Sequence, residues 1–346
     1  MNMLRVIVRV SSLLLAWAPL AAQHEVVATT GDVAALCRAV GGDAISVTCL
    51  SRAGEDPHFV AARPSMTRTL AGAELLVETG RELEIGWLPV LVQQCRNAVV
   101  QPGAVGRFVA ADHVPALGVP SGTVDRRDGD VHAGGNPHFL LDPLCGLLVA
   151  RALRERFATL WPSEAEAYTA RLDTFERQLA VAMVGEKVAT RYGNDAEKLA
   201  RLFAAGKLPA LLKAQGDLED FGGWFAAMNP LRGARVVAEH DLWPYFAERF
   251  GVSVIGFFEP KPGVAPTARH LADLVERMRH DHVAAILSVP YFSPRHAAAM
   301  AERTGARIAS MEHQPGARGS TGDYLAFVDW NVRAVVGALS PPEGRR

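Results

Sequence analysis

Short apolar runs alternate with helical stripes along most of this chain. Glu25 to Thr30 is a β-rich run. A helical stretch follows with apolar Val33, Leu36, Cys37 and Val40, closed by Gly41-Gly42, and Ile45 to Leu50 then alternates as a strand does. Strand–helix–strand is how a parallel sheet opens. Pro64 to Leu70 predicts another helix and Glu74 to Glu78 another strand. Gly80 to Gln94, with Leu83, Ile85, Trp87, Leu88, Val90 and Leu91, predicts a further helical segment with Pro89 near a first turn or kink. The same order returns late in the chain. Strands are predicted at Val236–Ala238, Val252–Phe258, Val283–Val289 and Arg307–Ala309. Between them lie helices over Trp243 to Phe250, from Pro266-Thr267 through Met278, and over Pro294 to Thr304; a terminal helix runs through Leu325, Val328, Val332 and Val336.

The middle of the chain is helical. Pro143 to Leu160 is one such stretch, and Ser163 to about Arg191 is another. In the second, Tyr168, Leu172, Phe175, Leu179 and Met183 form a continuous apolar stripe. Ser163 and Glu166 fit a capping box, and a helix of this length would reach roughly 40 Å at 1.5 Å per residue. Set between two strand–helix halves, it reads as a rigid strut. Residues 194–233 read as helical pieces broken at Gly216, Gly222-Gly223 and Asn229-Pro230, with Phe221, Trp224 and Phe225 packed under a lobe. The fold class expected is α/β: two lobes, each a small, mainly parallel sheet flanked by helices, joined by one long backbone helix. The boundaries are a signal peptide over 1–22, an N-terminal lobe over 23–160, a linking helix over 161–192 and a C-terminal lobe over 193–346.

Composition narrows the function classes. The 346 residues are 49% hydrophobic, enough for two ordinary cores, and the net charge of −1 comes without a basic block. Nothing therefore points to nucleic acid or to an anionic membrane surface. Arg5 and Arg9 precede an apolar run from Val10 to Ala18 and the small residues Ala21-Ala22, which reads as a secretory signal cut near Ala22. No cysteine lies there to carry a lipid, and no later segment reaches the roughly 18 apolar residues of a membrane span. A soluble, exported, periplasmic protein is expected. Cys37, Cys49, Cys95 and Cys145 permit disulfides in an oxidising compartment, and buried free thiols are the equal alternative.

The candidate chemistry is carried by histidines. His138 sits in the stiff loop Gly134-Gly135-Asn136-Pro137-His138 that runs on to Asp142-Pro143; His58 ends Gly54-Glu55-Asp56-Pro57-His58; His240 follows the strand Val236-Val237-Ala238. In open α/β sheets ligands gather beyond the carboxyl ends of strands, where these residues fall. The separations from His58 to His138 and from His240 to Asp323 are similar, which fits two lobes each lending a pair of ligands to the cleft between them. Three imidazoles and a carboxylate suit Zn²⁺, whereas Mn²⁺ favours more oxygen donors. The loop from Gly118 to Ala133, with Asp128, Asp130 and His132, reads as solvated, with a metal-collecting flap as the sharper alternative. His113, His270, His280, His282, His296 and His313 read as ordinary loop, turn or helix-surface residues.

The motifs around His58 and His138, Gly80-Arg81-Glu82-Leu83-Glu84 with Trp87-Leu88, and Val236 to His240 with Tyr245-Phe246 and Phe250-Gly251 carry a resemblance. In this order they resemble the periplasmic zinc/manganese-binding proteins of ABC importers (cluster A-I) over essentially the whole mature chain. The resemblance implies a C-clamp fold, a metal between the lobes, and ligands at His58, His138 and His240. It also implies a carboxylate near the final helix, best matched by Asp323, with Asp329 and Glu259 as rivals. A histidine at the third position points to the zinc branch. Three departures stand out: the His-rich loop is nearly absent, residues 194–233 are longer than the usual connection, and Val289 stands where an acid is frequent. The expected function is an exported solute-binding protein that captures Zn²⁺ and delivers it to the transmembrane subunits of an ABC permease. It is expected to act as a monomer, with room for a periplasmic metallochaperone, and not as an enzyme. The alternatives are a secreted zinc hydrolase with Glu55 or Glu239 as general base, and a binder of a larger metal chelate.

Overall fold

The structure is a computed structural model and describes residues 23–122, 131–261 and 263–340. The predicted signal peptide over 1–22, and Asp128 and Asp130 of the polar loop, lie outside the described residues.

The N-terminal part runs β1 (His24–Ala28), α1 (Gly31–Gly41), β2 (Ile45–Cys49), α2 (Pro64–Ala71), β3 (Leu75–Glu78), α3 (Leu88–Cys95) and β4 (Arg107–Val109). A helical middle follows: α4 (Pro143–Leu160), α5 (Ala165–Val184), α6 (Glu186–Arg191), α7 (Ala196–Ala204), α8 (Leu208–Gln215) and α9 (Gly223–Met228). The C-terminal part runs β5 (Arg235–Ala238), α10 (Pro244–Phe250), β6 (Ser253–Phe257), α11 (Ala268–His280), β7 (Ala285–Ser288), α12 (Pro294–Thr304), β8 (Arg307–Ser310) and α13 (Tyr324–Leu339). Each half holds a four-stranded sheet, ordered β2-β1-β3-β4 and β6-β5-β7-β8, with every pairing parallel. This is the expected pair of α/β lobes.

Strands covered on both faces must be apolar throughout, and the central strands alternate between two cores. Val26 and Ala28 of β1 face a large central cluster, while Val27 faces a smaller one with Leu70, Leu76, Trp87 and Leu91. In β5, Val236 and Ala238 join the same central cluster, and Val237 packs outward with Leu274, Met278, Ile286 and Met300. The central cluster also takes in the inner faces of α1, α4, α5, α7, α10 and α13. One core therefore spans both sheets.

The structure corrects several local expectations. Gly80 to Gln94 is helical only from Leu88, with Pro89 in its first turn. Ahead of it lies a series of turns in which Arg81 and Glu82 take positive φ (51° and 63°). The buried Glu84 holds that segment by accepting from Thr79 N (2.8 Å), Gly80 N (3.2 Å) and the Thr29 hydroxyl (2.6 Å). Burial pushes the Glu84 carboxyl up to about 7. The strut helix is also shorter than expected. It ends at Val184 because Gly185 leaves the helical region at φ +85°, so its 20 residues span about 30 Å. The capping box does not form: Pro162–Glu164 is a short 3₁₀ turn, and the Ser163 hydroxyl bonds the Glu164 carboxylate (2.8 Å). The apolar stripe is buried as expected. The three-residue β4, preceded by Gly103 and Gly106, escaped notice because it is too short to alternate. All four cysteines are free thiols, and burial pushes Cys37 up to about 12. No helix among the described residues is long and apolar enough to cross a membrane.

One contact ties the final helix to the centre. The Tyr324 hydroxyl donates to Leu140 O (2.8 Å) and approaches Asp142 O (3.1 Å), and a Cβ on Gly146 of α4 would come within 2.2 Å of it. Gly146→Ala should cost about 1–3 kcal/mol by overpacking, read as a lowered denaturant midpoint. An unchanged midpoint would show that the ring can step aside.

Candidate metal centre

Each of the three histidines is held by its own neighbours. After β2 the chain enters a 3₁₀ turn, Pro57–Phe59, capped by Asp56, which accepts from His58 N (3.0 Å) and contacts His58 Nδ1 (2.8 Å). Trp87 Nε1 fastens the turn by donating to Pro57 O (2.9 Å). His240 follows β5, with its Nδ1 2.6 Å from Glu259 Oε2, which also accepts from Gly263 N (2.9 Å).

His138 is set by Asn136, whose Oδ1 accepts from His138 N (3.0 Å) and whose Nδ2 reaches across to Asp241 O (2.7 Å). Gly135 makes the approach possible: its φ is +92°, and a Cβ there would stand 2.8 Å from Leu117 O. Beyond the loop, Asp142 caps α4 by accepting from Leu144 N (2.8 Å). Its carboxylate meets Arg249 through two bonds (2.7 and 2.8 Å), and Arg249 donates a third to Ala200 O (2.8 Å). Arg81 braces the same region. Its guanidinium donates to Asn136 O and Val114 O, bonds the Tyr245 hydroxyl, and lies over the Phe139 ring.

The outcome is a convergence of three rings from distant parts of the chain. The centroids of His58 and His138 are 5.2 Å apart, those of His58 and His240 5.8 Å, and those of His138 and His240 6.0 Å. One ring nitrogen from each lies within 4.8 Å of the others. Carboxylates occupy Nδ1 of His58 and His240, which leaves their Nε2 atoms as the lone pairs on offer. His138 Nε2 is buried without any partner. A buried polar atom left alone is costly, and a cation between the rings would satisfy it. Burial, then the neighbouring His58 and His240, hold the His138 imidazole well below its usual range, so it stays neutral and competent to ligate.

The fourth sequence candidate lies elsewhere. Asp323 is exposed and caps α13, accepting from Ala326 N (2.8 Å) and from the Thr321 hydroxyl, and it is not part of the histidine group. Asp329 is engaged by Trp224 Nε1 (3.1 Å) and Arg333 (2.7 Å). Glu259 stands behind His240. Of the two candidate bases, Glu239 is buried with Oε2 on Val289 N (3.0 Å), and Glu55 accepts from Arg52 N (2.7 Å). Sequence reasoning missed the positioning parts of Asp56 and Arg81; an acid two residues before His58 was the available signal for the first. It also passed over His313, which is buried, lies 2.9 Å through Nε2 from Glu55 O, and is held down at about 4 by burial.

A family model described as "Zinc-uptake complex component A periplasmic" matches residues 26–189 and 213–338. The chain belongs to this family. It is a two-lobed solute-binding protein of the zinc-uptake type, as the motif resemblance implied. Its relatives include the high-affinity zinc uptake system protein ZnuA of Yersinia pestis, 25% identical over 87% of this chain and 86% of that protein. Another is the metal ABC transporter substrate-binding lipoprotein SloC of Streptococcus mutans, 20% identical over 91% of this chain and 90% of its own length. Among solved structures, a crystal structure of ZnuA superposes with a TM-score of 0.66 at 17% identity, covering 92% of this chain and all (100%) of that one. A manganese-bound periplasmic metal-binding protein from Candidatus Liberibacter asiaticus superposes with a TM-score of 0.63 at 17% identity, covering 92% of this chain and 100% of its own. The family match leaves out 190–212, the stretch that carries α7 and the start of α8. This stretch overlaps only the first part of 194–233, the segment whose sequence reads as longer than the usual connection. Nothing in these comparisons favours the hydrolase alternative.

Proposed function

We propose that this protein captures a single Zn²⁺ between its two halves through His58, His138 and His240 and delivers it to an ABC-type permease. The observation that carries the ligand assignment is the partnerless His138 Nε2, buried beside two imidazoles whose Nδ1 atoms are already held by carboxylates. Such carboxylate–histidine pairs orient a ring and raise its basicity toward a metal. All-nitrogen donation favours Zn²⁺ over Mn²⁺, which prefers oxygen. The lobes correspond to 23–160 and 193–346, with 161–192 as the link. Export to the periplasm through a signal over 1–22, action as a monomer and receipt of zinc from a metallochaperone complete the reading. Binding rather than catalysis is the role assigned.

Contacts across the cleft favour a site formed before the ion arrives. Gln314 Oε1 accepts from Gly31 N (2.7 Å) and from the Ser51 hydroxyl (2.9 Å), and the Tyr245 hydroxyl accepts from Leu117 N (2.8 Å) and donates to Pro115 O (3.0 Å). The test is zinc stoichiometry by elemental analysis, with affinity measured by competition against a chelator from about pH 7.5 down to about pH 5. One zinc per chain is expected, bound more weakly as protons compete for the imidazoles. A pH-independent affinity, or no zinc at all, would remove the histidines from the assignment.

A further inference from the structure

With three imidazoles in place, a tetrahedral zinc site lacks one donor. The acids near or implied for the site have other partners: Asp56 faces His58, Glu259 faces His240 and Gly263 N, Asp323 caps its helix, and Asp241, beside His240, is bonded to the Asn136 side chain. A different residue touches one member of the group: His132 stands outside the set of three whose nitrogens lie within 4.8 Å of one another, and it meets His58. His132 Nε2 lies 3.2 Å from His58 Nε2, and the two rings stack with centroids 5.3 Å apart. Together with His138 and His240, His132 lines a cavity of about 50 Å³, enough space for one ion or one water.

The backbone holds His132 in this place. His132 O accepts from Gly135 N (3.1 Å), closing a turn that leads directly into the His138 loop, and the adjacent Ala133 N donates to Glu82 Oε2 (3.1 Å). The nitrogen–nitrogen distance has a chemical meaning. Four nitrogens at about 2.0–2.1 Å from a tetrahedral zinc stand about 3.3–3.4 Å from one another. The observed 3.2 Å is close to that edge. Without an ion, two imidazole lone pairs would not meet so closely, so one nitrogen must carry the proton. His58 Nδ1 faces the Asp56 carboxylate and is the protonated nitrogen of a neutral ring. Its Nε2 is then the acceptor, and His132 Nε2–H is the donor.

We infer that His132 is the fourth zinc ligand, occupying the His58 lone pair through a hydrogen bond until the ion arrives and then turning its own Nε2 lone pair onto the metal. The inference rests on the capture reading above. The proton on His132 moves from Nε2 to Nδ1 by exchange with water, so this ligand joins with no net proton release. The filled site carries four neutral imidazoles, with the charge of the ion offset by Asp56 and Glu259 behind the rings. Such a shell discriminates against Mn²⁺ more strongly than one with a carboxylate.

The experiment compares the purified wild-type protein with His132→Ala, His132→Gln and His313→Ala, the last because His313 is the other buried imidazole nearby. Zinc affinity is measured by chelator competition, and Co²⁺ is used as a spectroscopic probe. Losing a group behind a ligand already costs about 10–100-fold in affinity, so losing a ligand should cost about 100-fold or more. Both His132 variants should show that loss, and the visible bands of tetrahedral Co²⁺ should weaken and shift. Added imidazole should restore the Co²⁺ spectrum of His132→Ala, and His313→Ala should resemble wild type. Unchanged affinity and spectrum in the His132 variants would overturn the inference while leaving zinc capture intact, as would the same losses in His313→Ala instead. A wild-type protein that holds no zinc would overturn the capture reading itself.

Discussion

Replacing His138 by alanine should lower zinc affinity by about 1,000-fold or more, beyond the about 10–100-fold that follows from losing a group behind a ligand. The ring is central to the cluster, and its Nε2 has no partner that the loss would strand. The same substitution should leave the metal-free protein at least as stable as wild type, because it removes a buried polar atom that nothing satisfies. A second consequence concerns pH. Burial holds the folded-state value of His138 well below that of an exposed histidine. Between the two values the unfolded chain binds a proton that the folded one refuses, so stability is lost as pH falls below about 6.5. His132 and His313, both held down at about 4 by burial, contribute in the same direction. Urea unfolding of the metal-free protein should therefore show a midpoint that falls from neutral pH toward about pH 5, and falls less steeply in His138→Ala. A variant that still competes with the chelator as wild type does would remove His138 from the site.

Arg249→Ala should destabilise the protein by about 3–5 kcal/mol, the range for breaking a buried pair by removing one partner. Arg249 and Asp142 are 7% and 5% exposed, and without the guanidinium the carboxylate would keep only its bond to Leu144 N and the weak approach of the Cys145 thiol. The damage should extend to the metal, since Asp142 ends the loop that presents His138 and begins α4. Zinc should then bind more weakly and recover part of the lost stability at saturation. The double variant Asp142→Asn with Arg249→Met should regain most of the loss, because no buried charge is left unpaired. Guanidinium unfolding of the three proteins, with and without zinc, measures all of this. Equal midpoints for wild type and Arg249→Ala would mean that water reaches the carboxylate.

Much of this architecture is legible along the chain, because covered parallel strands such as Val26-Val27-Ala28 must be apolar on both faces and helices such as α13 repeat every third or fourth position. What escaped follows from physics that pattern does not record. The break at Gly185 and the left-handed pair Arg81-Glu82 are backbone choices inside stretches whose apolar spacing looks helical. The three histidines could be singled out from their stiff, strand-end settings, and the rings do converge. A carboxylate ligand would have no such setting, since an Asp before a helix serves equally well as its cap. Asp323 is such a cap. His132 lies in a polar stretch without periodicity, and only its closeness to His58 in space distinguishes it.

The stretch that the family match leaves out also has a physical place. From α7, Ala200 O holds Arg249, and Glu197 meets Arg151 of α4 (2.7 Å). Phe203 stacks on Phe225 of α9 at 4.2 Å. Through Arg249 and Asp142 these residues brace the end of the loop that carries His138.

The apolar filling runs unbroken from the inner face of one sheet to that of the other. Two halves soldered in this way have no seam along which to gape, so handing over the ion falls to the rim. Unloading is then expected to displace a few loop side chains while the body of the carrier keeps its form.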